Sequence, residues 1–173
     1  RDLPYPQSFI DFEAAAFALP RFDGMRAHQA LVFQWSCHRL EGQNRPPVHS
    51  EFLDVSGADP RRAFATSLIA CVGTEGPVFV YSAYEKTRLK ELALAFPDLS
   101  DSLMQIVGRL VDLLSLARQG FYHPKMLGSW SLKTIVPLLP KAAGATNYDD
   151  LDGVAEVLGV WAAETRVVTN NGW

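Results

Sequence analysis

Residues 8–14 read Ser-Phe-Ile-Asp-Phe-Glu-Ala, and this short stretch decides the fold class that we expect for the chain. Its aromatic and aliphatic residues predict a β-strand. Because successive side chains of a strand point to opposite faces, Asp11 and Glu13 share one face and the apolar residues share the other. Two carboxylates on one face of a core strand repel each other and are costly to desolvate, so they need a neighbouring cation.

The cation that balances Asp11 and Glu13 is open at this point: a Lys or Arg side chain, a proton and a bound metal ion would each serve. Carboxylate oxygens suit Mg²⁺ or Mn²⁺ better than zinc. In two-metal hydrolysis such carboxylates hold ions roughly 3.5–4 Å apart. The alternative is an edge strand on which both acids face water and bind nothing.

The segments after the first strand predict a mixed α/β sheet. Residues 30–38 and 48–54 read as two further strands, and the short turn-rich connections indicate an antiparallel meander. Asp59-Pro60 then marks a helix start, and Gly73 ends that helix. The continuous apolar run 77–81 is typical of a strand buried on both faces. We therefore expect antiparallel strands followed by helix-linked strands, with helices packed on the sheet.

The second half of the chain is predicted to be mainly helical. Apolar residues repeat at helical spacing from Leu89 to Phe96 and again from Leu103 to Leu114, with a break at Pro97-Asp98. A loop over 120–128 leads to a short helix at about 131–139, and a last helix carries Val154, Val157, Leu158 and Trp161 on one face. One more strand is expected but cannot be placed.

Length and composition predict one globular domain over residues 1–173, which we interpret as a processed chain or a domain excised from a longer one. The net charge of −3 argues against a protein that coats nucleic acid by bulk electrostatics, but not against an enzyme that grips a few nucleotides. No apolar run predicts a membrane helix, and no signal peptide is recognised. Cys37 and Cys71 lie far apart in sequence and form no CxxC pair, so we expect a reduced, cytoplasmic chain.

Several further residues are candidates for a site. Glu85 follows the 77–81 strand, where α/β sheets present functional groups, although an acid in the first turn of a helix is also a favourable cap. His123 is a candidate base, or a structural histidine bonded to a backbone carbonyl. Tyr84 and Trp130 are candidates for stacking on unpaired bases, and Lys133 for contacting phosphate, with core packing or a snorkelling lysine as the alternative.

Taken in order, the segments of this chain resemble the DnaQ-like (DEDD) exonuclease superfamily of the ribonuclease H-like fold, and more narrowly the DUF2779 family. The resemblance spans nearly the whole chain, and the combination is more specific than any single piece. It is carried by these stretches: Ile10-Asp-Phe-Glu13, His49-Ser-Glu-Phe-Leu53, Asp59-Pro-Arg61, Tyr81-Ser-Ala-Tyr-Glu-Lys86, Glu91-Leu-Ala93, Phe96-Pro-Asp-Leu99, Arg109-Leu-Val-Asp-Leu-Leu114, Tyr122-His-Pro124 and Gly128-Ser-Trp-Ser-Leu-Lys133.

The resemblance implies roles for particular acids. Asp11 and Glu13 match the first exonuclease motif, Asp-x-Glu, and Glu85 stands where the second motif has Asp. Asp112 resembles a recurring Asp that supports the site without binding metal. The third motif departs from the family pattern, since the last helix has no Asp where one is expected; Asp152 is the substitute that we name as a fourth metal ligand.

The resemblance therefore implies a ribonuclease H-like nuclease dependent on Mg²⁺ or Mn²⁺, acting from the 3′ end on single-stranded or recessed DNA or RNA through metal-activated water. The defective third motif leaves a second interpretation open. In that interpretation the chain is a catalytically inactive ribonuclease H-like module that binds nucleic acid or another protein, and Lys or Arg side chains neutralise Asp11 and Glu13.

Overall fold

A computed structural model describes residues 3–43 and 45–138, and these form a mixed α/β domain built on one five-stranded sheet. The strands are β1 (Gln7–Ala16), β2 (Ala30–Leu40), β3 (Val48–Leu53), β4 (Val78–Val80) and β5 (Leu110–Asp112). The helices are α1 (Arg61–Val72), α2 (Tyr84–Ala95), α3 (Ser100–Gly108), α4 (Leu113–Gly120) and α5 (Leu132–Ile135). Short 3₁₀ segments cover Pro97–Leu99, Pro124–Met126 and Val136–Leu138.

The sheet has the strand order β3-β2-β1-β4-β5, which places β1 at its centre. The first three strands form the antiparallel meander that the sequence predicts, and β4 and β5 run parallel to β1. The predicted combination of an antiparallel meander, a parallel strand and flanking helices is therefore confirmed. The strand that carries Asp11 and Glu13 is a central strand, so the interpretation as an edge strand is wrong.

Helices cover both faces of the sheet, and each face has its own apolar core. On one face, Ile10 and Phe12 of β1 pack with residues of α1, α2 and α3. On the other face, Phe9 stacks on Phe79 of β4 and packs with α4. The alternation along β1 thus sends Phe12 into the first core and leaves Asp11 on the face that is covered by α4.

The helix predicted over 103–114 is wrong, because this stretch contains the end of α3, the strand β5 and the start of α4. Leu110 packs into the first core while Val111 packs into the second. Because these two neighbouring residues contact cores on opposite faces, both are apolar, and the alternation typical of a strand cannot be seen. The apolar residues of the stretch then have the spacing of one face of a helix. β5 is the additional strand that the sequence could not place.

The remaining element predictions hold within one or two residues where the structure describes them. The helix break at Pro97 is confirmed, and the helix predicted at 131–139 is α5 followed by a 3₁₀ turn. The predicted last helix, with Val154 and Trp161, lies outside the described residues. Among the described helices, none has the length and apolarity needed to cross a membrane.

Candidate active site

Asp11 and Glu13 lie on the polar half of the central strand β1. Asp11 is opposite Ser36 of β2, and Glu13 is opposite Gln34. Directly opposed residues of antiparallel strands share a face, so these four polar side chains form one patch. The pairing with β2 shifts register immediately after Glu13, and such bulges often re-aim side chains beside functional sites.

This polar patch lies close to the carboxyl ends of the parallel strands β4 and β5. Phe9 of β1 pairs with Phe79 of β4, so the continued register puts Asp11 level with the residue after β4. Asp112 pairs with Val80 on the other side of β4, one residue short of that level. Acids from two strands therefore meet at the carboxyl ends of the parallel strands, where open α/β sheets place their ligands.

The turn between β4 and α2 is strained and brings a third acid to this edge. Ser82 has a φ of 120°, a conformation that residues with a side chain rarely adopt. The Asp112 carboxylate accepts a hydrogen bond from the Ser82 N–H at 3.1 Å, and the Ser82 hydroxyl accepts one from the Tyr84 N–H at 3.2 Å. Backbone strain of this kind persists only where its surroundings enforce it. Its effect here is to start α2 so that Glu85 points inward.

Glu85 is the most unusual carboxylate in the described structure, because it is only 4% exposed and its Oε2 has no hydrogen-bond partner among the described residues. The pKa of Glu85 is raised from its ordinary value of 4.5 to about 8, chiefly by burial. The negative charges of Asp11 and Asp112 contribute to this rise, and a hydrogen bond from its own backbone N–H opposes it. A buried acid with an unsatisfied oxygen needs a proton or a cation.

Asp11 is also a carboxylate whose charged form is disfavoured, but less strongly than that of Glu85. Its pKa is raised from 3.8 to about 6, chiefly by burial and in part by the charge of Glu13, and a backbone hydrogen bond at Phe12 opposes this rise. Strongly perturbed acids that share a sheet edge are candidates for a functional site. The sequence-based expectation that Asp11 and Glu13 create an electrostatic problem is supported by the direction of this shift.

The ion pairs seen in the described part of the chain do not neutralise these acids. Within residues 3–43 and 45–138, the ion pairs are Arg39–Glu41, Arg61–Asp59, Arg62–Asp98 and Arg88–Glu91, and none involves Asp11, Glu13 or Glu85. The described residues also bring no group of three His, Cys, Asp or Glu side chains within range of one metal ion. The predicted fourth ligand, Asp152, lies outside the described residues.

Asp112 supports the site rather than facing it. Its Oδ1 accepts hydrogen bonds from the N–H groups of Leu114, at 2.9 Å, and Ser115, so it caps the amino end of α4. Its Oδ2 accepts a hydrogen bond from the Ser115 hydroxyl at 2.7 Å. Together with the bond to Ser82, these contacts use both oxygens. This agrees with the supporting role that the resemblance implies.

Replacing Asp112 by Ala is expected to lower the free energy of unfolding by about 1–2 kcal/mol, the usual cost of losing a helix cap. The strained Ser82 turn loses its anchor in the same variant, which places the effect at the upper end of that range. Urea unfolding of Asp112→Ala and of Asp101→Ala, an exposed acid in α3, measures the difference. Equal stability of the two variants would contradict the capping role.

Three of the other predicted site residues have structural partners. His123 Nδ1 accepts a hydrogen bond from the Lys125 N–H at 3.2 Å, so its backbone partner here is an N–H group and not the carbonyl that was expected. Trp130 packs against the second core, and the Arg118 guanidinium lies 5.7 Å from its ring centroid. Tyr84 is 39% exposed, and the Arg88 guanidinium lies 5.1 Å from its ring centroid. Their catalytic or substrate-binding roles, and that of the exposed Lys133, stay predictions.

Sequence reasoning missed the contribution of β2 to the polar patch. A half-buried strand alternates apolar and polar residues, but in β2 this alternation is interrupted. The register of the pairing with β1 shifts between the partners Gln34 and Val32. A polar residue at every second position, 34 and 36, is the signal that could have marked them. Their positions opposite Glu13 and Asp11 make them candidates for orienting a bound ligand.

The family comparison matches the part of the chain that holds this site. The model of a family described as a domain of unknown function (DUF2779) matches residues 8–131. The chain belongs to the DUF2779 family. The match begins in β1 of this DUF2779 domain and includes Asp11, Glu85 and Asp112. No curated protein and no solved structure matches the chain.

Proposed function

We propose that this DUF2779 domain is a divalent-metal-dependent nuclease with a ribonuclease H-like, DnaQ-like fold, which removes nucleotides from the 3′ end of DNA or RNA. The proposal rests above all on one observation. Glu85 is a buried carboxylate with an unsatisfied oxygen, it lies close enough to Asp11 for their charges to interact, and none of the four ion pairs seen among the described residues involves either acid.

The fold supports this proposal without deciding it. An antiparallel meander followed by two parallel strands, with Asp-x-Glu on the central strand, is the arrangement that the ribonuclease H-like resemblance implies. The end of β4 carries Glu85 to the same edge in the position of the second exonuclease motif. The proposed site would therefore draw on the segments that the resemblance names, in the order that it names them.

Asp11, Glu13 and Glu85 are the residues that would hold Mg²⁺ or Mn²⁺, because they offer hard oxygen ligands. A bound ion would supply an activated water and would stabilise the leaving oxygen of a phosphodiester. Glu85 and Asp11 would contribute their charge in a partly desolvated setting, where interactions with a cation are stronger than in water. Tyr84, exposed beside this edge, offers a ring on which an unpaired base can stack.

The direct test is an exonuclease assay on the full chain. Single-stranded and 3′-recessed oligonucleotides, in DNA and RNA form and labelled at the 5′ end, are incubated with Mn²⁺, with Mg²⁺ or with EDTA. We expect a ladder of shortened products with either metal and none with EDTA. Intact substrate after long incubation at high protein concentration would refute the proposal.

A second candidate function is a catalytically inactive ribonuclease H-like binding module. The observation that favours it is that the described residues bring no three ligating side chains together. In this case the acids of the edge would stay protonated or face water, and a divalent ion would have no preferred place. The two candidates differ in whether the folded chain binds metal.

Thermal unfolding with increasing Mn²⁺ separates these candidates. An ion that binds only the folded chain stabilises it by about 2.7 kcal/mol at a hundredfold excess over Kd, which raises Tm by several degrees for a domain of this size. We expect this rise for the wild type and for Asp101→Asn, and a much smaller one for Asp11→Asn. An unchanged wild-type Tm at millimolar Mn²⁺ would favour the inactive module.

A further inference from the structure

A pair of cysteines lies on the face of the sheet opposite the candidate site. Cys37 of β2 is completely buried, and Cys71, in the last turn of α1, is partly exposed and packs against the same core. Their thiols lie within hydrogen-bonding reach of each other. The two cysteines form no CxxC pair in the sequence, and the fold brings them together from β2 and α1.

The backbone around the two thiols is fixed by Arg39. The Arg39 guanidinium donates hydrogen bonds to the carbonyl oxygens of Cys71, at 3.3 Å, and Val72, at 3.1 Å. This ties the end of α1 to the strand that carries Cys37. These hydrogen bonds hold the backbone of Cys71 against the strand that carries Cys37.

The surroundings also divide the chemical roles of the two cysteines. The hydrogen bond with Cys37, a hydrogen bond with Ser50 and the charge of Arg39 together lower the pKa of Cys71 to about 7, although burial opposes them. Cys37 has the opposite environment, since its pairing with Cys71 and its burial raise its pKa well above the ordinary range. A partly exposed thiolate beside a protonated, buried thiol is the arrangement of an attacking and a resolving cysteine.

We propose that Cys37 and Cys71 form an oxidisable dithiol, in which Cys71 reacts with a hydroperoxide and Cys37 resolves the product to an intramolecular disulfide. The Cys71 thiolate attacks one peroxide oxygen, so that an S–O bond forms, the O–O bond breaks and the leaving oxygen takes a proton to become water or an alcohol. The Cys37 sulfur then attacks the Cys71 sulfur. The S–S bond forms, the S–O bond breaks, and the leaving hydroxide takes the Cys37 proton to become water.

The two thiols lose two electrons in this sequence and the hydroperoxide gains them. A small dithiol reverses the reaction by thiol–disulfide exchange. The disulfide would link the end of α1 covalently to β2. The pair lies apart from the acids of the candidate active site, so this proposal does not depend on the nuclease proposal.

The test uses the full folded chain, freed of reductant and treated with hydrogen peroxide. After quenching, the protein is alkylated under denaturing conditions, and the two thiols are counted by intact mass and located by peptide mapping. We expect the wild type to lose both alkylation sites, with a cross-link between the peptides of Cys37 and Cys71, and to regain them with dithiothreitol. Two alkylatable thiols after treatment, or a disulfide between two chains, would overturn the proposal.

Single variants then check the division of roles. In Cys37→Ser, we expect Cys71 to stop at the sulfenic acid and to be captured by dimedone. In Cys71→Ser, we expect Cys37 to react at least about tenfold more slowly than the wild type, because it is buried and protonated. If Cys37→Ser fails to fold, the cross-link in the wild type still decides the pairing. If the lone Cys37 of Cys71→Ser reacted with hydrogen peroxide as fast as the wild-type protein does, the assigned roles would be contradicted.

Discussion

Replacing Asp11 by Asn is expected to abolish the Mn²⁺-dependent shortening of an oligonucleotide, with a fall in rate on the order of a hundredfold or more. Asn keeps the shape of the side chain but removes the charge that would hold a cation on the central strand. The proposed site lies where β1, β4 and the start of α2 meet. Asp11 is the acid that β1 brings to this place, so we expect no neighbouring acid to replace it as a ligand.

The same substitution is expected to leave the fold intact. Asp11 is partly desolvated and its carboxylate is repelled by Glu13, so the neutral amide removes an unfavourable interaction. Asp101→Asn, an exposed acid of α3, is the matched control and should keep full activity. Rates on a 5′-labelled oligonucleotide and urea unfolding curves measure both effects. An active Asp11→Asn protein would exclude Asp11 as a ligand, and an unfolded one would show that the carboxylate is structural.

The sequence predicted the strands whose residue types alternate or whose apolar run has clear bounds. The Asp-x-Glu stretch alternates clearly, and the strand and its facing were predicted correctly. β5 was missed because Leu110 and Val111 are both apolar and partly buried, each against a different core, so nothing in the order of residue types marks a strand. The long-range pairing of β5 with β4 decides its conformation, and a local pattern does not report such pairing.

The residues of the candidate site could also be predicted only in part. Asp11 and Glu13 could be named from the alternation along β1, Glu85 from its place after a strand, and Asp112 from the family resemblance. What the sequence could not give was the burial of Glu85, since the first turn of a helix is usually exposed and favours an acid as a cap. The strained Ser82 turn and the hydrogen bond from its N–H to Asp112 turn Glu85 inward, and both depend on chain segments far apart in sequence.

Replacing Glu85 by Gln is expected to stabilise the metal-free protein above neutral pH. In the folded state the pKa of Glu85 is about 8, against an ordinary value of 4.5, so between these values the folded chain holds a proton that the unfolded chain has released. The free energy of unfolding therefore falls as pH rises through this window. Each pKa unit corresponds to about 1.4 kcal/mol, so the loss amounts to several kcal/mol once the carboxyl ionises.

Gln cannot ionise, so Glu85→Gln should lack this part of the pH dependence. In EDTA we expect the variant and the wild type to be about equally stable near pH 5, and the variant to be more stable by up to several kcal/mol above about pH 8. Glu75→Gln, which changes an exposed acid in the loop before β4, is the control and should follow the wild type. Urea unfolding across this pH range measures the difference, and parallel curves for Glu85→Gln and wild type would contradict the buried, proton-holding carboxyl.

Added Mn²⁺ should reverse this order if Glu85 is a metal ligand. The ion replaces the proton, so the wild type gains stability that increases with pH, because metal binding requires the carboxylates to be deprotonated. Glu85→Gln loses one of the charges and gains less. The contrary result is that the wild type stays less stable than Glu85→Gln above neutral pH at saturating Mn²⁺. It would show that the buried carboxyl binds a proton and no metal ion. The repulsion among the acids at the sheet edge would then destabilise the fold with no bound metal to offset it.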